Sequence, residues 1–188
     1  MNHSDHVHLL QNGIPSEGGI WADFGSGAGA FTLALAELIG PSGDIYSIDQ
    51  DQGTLREQAQ AMRFKFPSRN AHYVRADFTH PLDLPMLDGV VMANALHFQP
   101  DAAKDKLLKQ ILDYLRPGGR LIVVEYNVDR GNVWVPYPTS YATCESIAAR
   151  NGFVATRLLA RVPSRFLGEI YSALSMKREK QGMQLNNL

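Results

Sequence analysis

Short apolar runs rich in β-branched residues alternate along this chain with stretches whose apolar positions recur every three or four residues. That alternation is the pattern of strands and helices wound into a parallel sheet covered on both faces. The first strand is expected at residues 19–24, and the helix behind it runs to about Ile39, where Gly40-Pro41 stops it. "DIYSIDQD" (44–51) reads as a second strand ending in acids, 53–66 as a helix closed by Pro67, and "AHYVRAD" (71–77) as a third strand. "LDGVVMANALHF" (87–98) is a fourth strand that turns polar at Asn94. Leu107, Leu108, Ile111, Leu112 and Leu115 then draw one helical stripe. "RPGGRLIVVEYN" supplies a tight turn and a fifth strand, and 140–150 a helix stopped by Asn151-Gly152.

The end of the chain breaks the alternation. "FVATRLLARV" and "FLGEIYSALSM" both read as strands, with only "PSR" between them. So short a link holds no crossover helix, so the two strands pair antiparallel. The fold class is therefore α/β, doubly wound, with a mostly parallel sheet and one reversed strand at the end. Residues 1–18 are expected to form an N-terminal segment acting as a partial lid, 19–176 the domain proper, and 177–188 a disordered tail.

Composition alters this picture little. The chain has 188 residues, 45% hydrophobic and 20% charged, which is an ordinary soluble composition. A net charge of −1 argues against a general nucleic-acid binder, although Arg157, Arg161 and Arg165 fall close together. The single cysteine, Cys144, excludes an internal disulfide and a Cys-rich zinc site. No apolar run is long enough for a signal peptide or membrane span, so a cytoplasmic domain without membrane partners is the expectation.

The chemistry concentrates in "ADFGSGAGAFTLALAELIG", residues 22–40. Gly25, Gly27 and Gly29 permit a tight turn and bring main-chain N–H groups to the mouth of the next helix, where sheets of this kind bind ligands. The spacing fits GxGxG, yet Gly25, Gly27 and Ala30 also satisfy the dinucleotide form. Asp23 helps to choose. A pyrophosphate is repelled by so near a carboxylate, whereas S-adenosylmethionine has no phosphate and carries an ammonium and a sulfonium. Asp49, ending the second strand, sits where a carboxylate accepts ribose hydroxyls under either reading.

With these residues in place, the chain resembles the class I S-adenosylmethionine-dependent methyltransferases over nearly all its length. The resemblance rests on "ADFGSGAG", "IYSIDQD", "VRADF", "LDGVVMANALHF", "LRPGGRLIVVEY" and the closing strand pair, in that order. It implies a Rossmann-like sheet of seven strands in the order 3-2-1-4-5-7-6, with S-adenosylmethionine as cofactor. It places Gly25, Ser26, Gly27 and Gly29 along the methionine and ribose, Asp23 near the ammonium, and Asp49 on the ribose. Gln50, Asp77 and Phe78 fall to the adenine, and Asn94 to the methionine end. The fourth-strand motif reads "NALH" rather than the "NPPY" of amino-nucleobase methylases, which disfavours DNA as acceptor. One cysteine rules out the arsenic-methylating relatives. About eighteen residues precede the first strand, so either the acceptor is partly open to solvent or 126–141 covers it.

Methyl transfer asks mainly for alignment in a dry pocket, with a base only where the nucleophile must lose a proton. His97 is the leading base candidate, with Glu125 and Tyr126 behind it. "NVDRGNVWVPYPTSY" carries Trp134, Tyr137 and Tyr141, either as an aromatic wall for a flat or apolar small molecule or with Trp134 capping the core. With His97 and Tyr126, Trp134 and Tyr137 are the expected acceptor contacts, together with His6 from the lid. His3, His6 and His8 are spaced too loosely to imply a metal. Cys144 reads as core. The link "RVPSRF" holds an anion, forms the edge of a homodimer, or is a solvated turn. Two further functions stay open: a non-catalytic cofactor-binding protein, and a nicotinamide-dependent oxidoreductase, which the terminal hairpin and the lack of a Tyr-x-x-x-Lys pair oppose.

Overall fold

The computed structural model describes residues 1–15 and 17–179. Among these residues seven strands, β1 (Gly19–Phe24), β2 (Gly43–Asp49), β3 (Asn70–Arg75), β4 (Leu87–Ala93), β5 (Leu115–Tyr126), β6 (Phe153–Ser164) and β7 (Gly168–Lys177), form one sheet. Its order is β3-β2-β1-β4-β5-β7-β6, the one the resemblance implies. β1 pairs in parallel with β2 and β4, and β4 with β5, whereas β7 runs antiparallel to both β5 and β6. The carboxyl ends of β1, β2, β4 and β5 and the β6–β7 turn therefore share one edge.

Among the described residues five α-helices cover the faces: α1 (His3–Gln11), α2 (Ala30–Ile39), α3 (Gln52–Lys65), α4 (Asp101–Tyr114) and α5 (Tyr141–Arg150). Leu107, Leu108, Ile111, Cys144 and Ile147 of α4 and α5 close one core over Phe24, Val90 and Leu121. Leu9, Leu10, Leu35, Ile39 and Met62 close the other over Ile45, Val91 and Ile122. β4 and β5 lie under both layers, which is why their sequences run apolar without alternation. Each fully buried Leu or Ile contributes about 1.5–3 kcal/mol by leaving water.

Several boundaries differ from the sequence reading. β2 stops at Asp49 because Asp51 is the N-cap of α3, accepting from the amides of Gly53 and Thr54. β4 stops at Ala93: Asn94 turns left-handed (φ 52°), and Leu96–Phe98 wind into a short 3-10 turn. Leu115, on the apolar stripe by its spacing, opens β5 instead. The "RPGG" that follows is looped out between the pairs Leu87–Leu115 and Gly89–Arg120. The last hairpin turns at residues 165–167, so Phe166 leaves the strand and stands half-exposed. The N-terminal segment, expected as a lid, contains a capped helix. The Asn2 side chain accepts from the Asp5 amide, Asp5 accepts in return from the Asn2 amide, and Leu9 and Leu10 are fully buried. Of the tail expected at 177–188, Lys177 ends β7, and 180–188 lie outside the described residues.

Candidate active site

The glycine turn leaves β1 and enters α2 with Gly25, Gly27 and Gly29 all at positive φ (75°, 51° and 84°), a region that side chains disfavour. Gly25 also needs to be bare for space, since a Cβ there would stand 2.7 Å from that of Ala95. The turn is held from three sides. The amides of Gly25 and Ser26 donate to the Ile48 carbonyl, at 2.9 and 3.1 Å. Asp49 accepts from the Gly27 amide at 2.8 Å through one carboxylate oxygen and from the Asp51 amide at 2.9 Å through the other. Gln58 of α3, fully buried, donates to the Ser26 hydroxyl and the Gly27 carbonyl and accepts from the Ser47 hydroxyl. A Cβ at Gly29 would overlap the Gln58 side chain. The glycines thus let α3 brace the turn from below while its upper side stays open.

Asp23 lies behind this turn, 1% exposed, and accepts a 2.6 Å hydrogen bond from Thr32. Burial pushes its carboxyl up to about 7; the Thr32 bond opposes the rise and the neighbouring Asp49 adds to it. A cation brought to the turn would favour the charged form.

In front of the turn a cleft of about 160 Å³ is lined by Gly25, Asp49, Gln50, Phe78, Asn94, Ala95 and Phe98. The structure thus brings together residues from the ends of β1, β2 and β4 with the segment after β3. Asn94, at positive φ with its backbone amide donating to the Val124 carbonyl, has a buried side-chain oxygen with no partner among the described residues. Such an orphaned acceptor costs about 1–3 kcal/mol and suits a ligand that brings an N–H donor. Each Asp49 oxygen keeps a lone pair beyond its backbone bond. The residues present therefore fit a ligand with an ammonium at one end and a ribose in the middle. Asp77 and Ser26 are placed differently. The Asp77 carboxylate accepts from the amide and hydroxyl of Thr79 and lies 3.3 Å from His80, and the Ser26 hydroxyl faces Ser47 and Gln58.

Beyond the cleft lies a buried pair. His97 is 3% exposed; its Nδ1 lies 2.8 Å from one oxygen of fully buried Glu125, and its amide donates to the other at 3.1 Å. The other ring nitrogen, Nε2, has no hydrogen-bond partner among the described residues. The His97 ring lies against Phe98, at 4.3 Å between centroids, and faces Tyr126 at 6.1 Å. The loop 127–140 returns to this point, where the Tyr137 amide donates to the His97 carbonyl and buried Lys104 donates to the Tyr137 carbonyl. Trp134 is 74% exposed and Tyr137 43%, so Trp134 does not cap the core; Val135 fills that place. His6 packs its ring on Phe31 of α2 at 4.7 Å, and burial lowers its pKa. His3 pairs with Glu37, while His8 bonds Gln11 within α1, so the three histidines go separate ways. Burial pushes the Cys144 thiol up to about 11, as suits a core residue.

Gln58 and Lys104 were missed from the sequence, though each left a trace there. Gln58 stands on the buried face of α3 with Leu55 and Met62, and Lys104 on that of α4 with Leu107, Leu108 and Ile111. A polar residue in register with an apolar stripe is the signal.

Comparison with known proteins agrees with this arrangement. Residues 22–119 match the family described as "Methyltransferase domain". The chain is 34% identical over 107 residues to the ubiquinone/menaquinone biosynthesis C-methyltransferase UbiE of Pasteurella multocida, a match covering 56% of this chain and 39% of that protein. It thus spans about two fifths of the length of the curated relatives it matches. Among solved structures, YcgJ of Bacillus subtilis superposes with a TM-score of 0.75 at 13% identity, covering 95% of this chain and all of that one. Human N-acetylserotonin methyltransferase in complex with SAM does so at 0.70 and 20% identity, covering 95% and 52%. These structural likenesses concern the fold. No helix among the described residues is long and apolar enough to cross a membrane. By its matched segment, the chain belongs to the methyltransferase-domain family, the class I S-adenosylmethionine-dependent methyltransferases.

Proposed function

We propose that this chain transfers the methyl group of S-adenosylmethionine to an oxygen, nitrogen or carbon of a small aromatic or apolar molecule. The observation that carries the reading is the clamped glycine turn together with the unpartnered, buried oxygen of Asn94, a residue that lines the same cleft. When bound, the cofactor supplies an electrophilic methyl on a sulfonium whose leaving group departs neutral. The chain's own residues hold and orient. Asn94 accepts from the ammonium, and the spare lone pairs of Asp49 accept from the ribose hydroxyls. The open upper side of Gly27 admits the methionine and ribose beside Ser26 and Gly29, with Asp23 answering the ammonium through its field. Gln50 and Phe78 flank the adenine.

The curated relatives are named as C-methyltransferases of quinone biosynthesis, which favours a phenolic or quinol-like ring as acceptor. Methylation at such a ring releases a proton. His97 takes it at Nε2, with Glu125 orienting the ring from Nδ1 as a positioning residue. Phe98, Trp134 and Tyr137 shield the reacting edge of the acceptor from water. The nicotinamide reading falls with the family assignment.

The test is a labelled-methyl assay with a panel of phenols, catechols and quinols beside DNA and tRNA. Label is expected in the organic extract of a ring acceptor, with kcat lowered about a hundredfold in His97→Gln, less in Glu125→Gln, and S-adenosylhomocysteine binding unchanged in both. Label in nucleic acid, or none in any acceptor from protein that binds S-adenosylhomocysteine, overturns it.

A further inference from the structure

A second cavity, of about 470 Å³, opens on the same edge of the sheet as the cofactor cleft. Its walls come from three places: Met1 and Asp5 at the start of α1, Tyr126 at the end of β5, and Arg165, Phe166 and Ile170 from the β6–β7 hairpin. The Phe166 ring meets Tyr126 edge-on, at 5.8 Å between centroids, and Tyr126 in turn faces His97 at 6.1 Å. One aromatic residue therefore separates this cavity from the His97–Glu125 pair.

The charges are arranged unevenly. Three arginines lie along the hairpin. Arg161 is 3.5 Å from Glu169, and Arg157 donates to the Asn12 carbonyl. Arg165 has no ion pair and no hydrogen-bond partner among the described residues. The turn that carries it is built, with the Phe166 amide donating to the Ser164 hydroxyl. Glu169 is already engaged with Arg161 and with the Asn127 side chain, and Asp5 accepts from the Asn2 amide in the cap of α1. The lining thus offers an edge-on aromatic pair, an aliphatic floor at Ile170, and one uncommitted guanidinium.

We infer that this cavity seats the methyl acceptor, and that the acceptor is a flat ring bearing one anionic group, such as a carboxylate, held by Arg165. The ring lies against Phe166 and Tyr126, where its reactive edge can point past Tyr126 toward His97. A second anionic group is disfavoured by the Asp5 carboxylate, which lines the same cavity. The inference rests on the methyl-transfer reading and narrows its acceptor from an aromatic molecule to an aromatic acid.

The probes are 3,4-dihydroxybenzoate and its uncharged methyl ester, titrated calorimetrically into protein saturated with S-adenosylhomocysteine. The acid is expected to bind on the order of tenfold more tightly than the ester. Arg165→Gln, an exposed substitution, removes that preference, and Phe166→Ala weakens acid and ester alike. S-adenosylhomocysteine binding stays unchanged in both variants. Equal affinity of the two probes, a preference that survives Arg165→Gln, or no binding of either probe overturns the inference. Failure of the wild-type protein to bind S-adenosylhomocysteine at all would instead remove the methyl-transfer reading beneath it.

Discussion

Replacing Asp23 by Asn changes how stability depends on pH, and the size of the change follows from where the carboxyl sits. In the folded protein its pKa is raised to about 7 by burial, against an ordinary value of 3.8. Between those values the folded chain holds a proton that the unfolded chain has released. Unfolding then becomes easier as pH rises: this contribution is complete below about pH 4, declines through the interval, and is spent above about pH 7. At about 1.4 kcal/mol for each pH unit, the gap amounts to about 4 kcal/mol. An asparagine has no proton to lose, and its amide oxygen still accepts from Thr32, so this part of the slope disappears. Urea unfolding followed by circular dichroism at pH 4.5, 5.5, 6.5 and 7.5 reads the difference, because the other titrating groups are common to both proteins. Asp23→Asn should gain on the wild type by about 3 kcal/mol between the first and last pH. Parallel profiles, within about 0.5 kcal/mol, would refute the account of Asp23 as a buried, mostly protonated acid.

Gln58→Ala leaves Ser26, Ser47 and the Gly27 carbonyl without their shared partner and opens a cavity under the turn. A loss of about 2–4 kcal/mol in urea unfolding and about tenfold weaker S-adenosylhomocysteine binding by calorimetry are expected. Gly25→Ala pushes a methyl into Ala95 at positive φ and should cost at least about 1–2 kcal/mol by the same unfolding assay. Trp134→Ala removes an exposed ring and should leave stability within about 0.5 kcal/mol. Steady-state kinetics with a ring acceptor should show a several-fold higher KM and an unchanged Kd for S-adenosylhomocysteine.

The fold was largely legible because punctuation and period agreed: Gly40-Pro41, Pro67 and Asn151-Gly152 each end a helix whose apolar spacing had already declared it. The closing hairpin followed from a link too short for a helix. What escaped was decided by non-local contacts. α1 buries only Leu9 and Leu10, so its polar, histidine-rich sequence shows little period, and only the Asn2–Asp5 pair betrays a helix start. Asn94 leaves β4 left-handed although the residues around it favour a strand, and Phe166 falls in the hairpin turn despite strand-like neighbours. In the site, the strand-end acids and glycines were visible because parallel strands deliver their carboxyl ends to one edge. The His97–Glu125 contact comes from the pairing of β4 with β5, in which Ala93 lies opposite Val124. Sequence separation hid it.

The central claim, that the glycine turn and Asp49 hold the cofactor of a methyltransferase, is tested most directly by calorimetric titration of the full chain. S-adenosylhomocysteine should bind with one-to-one stoichiometry. Asp49→Ala, which frees the Gly27 amide and removes the ribose acceptor, should weaken it by about a hundredfold. Binding of NADH in place of S-adenosylhomocysteine, or equal affinity in the variant, would contradict the account.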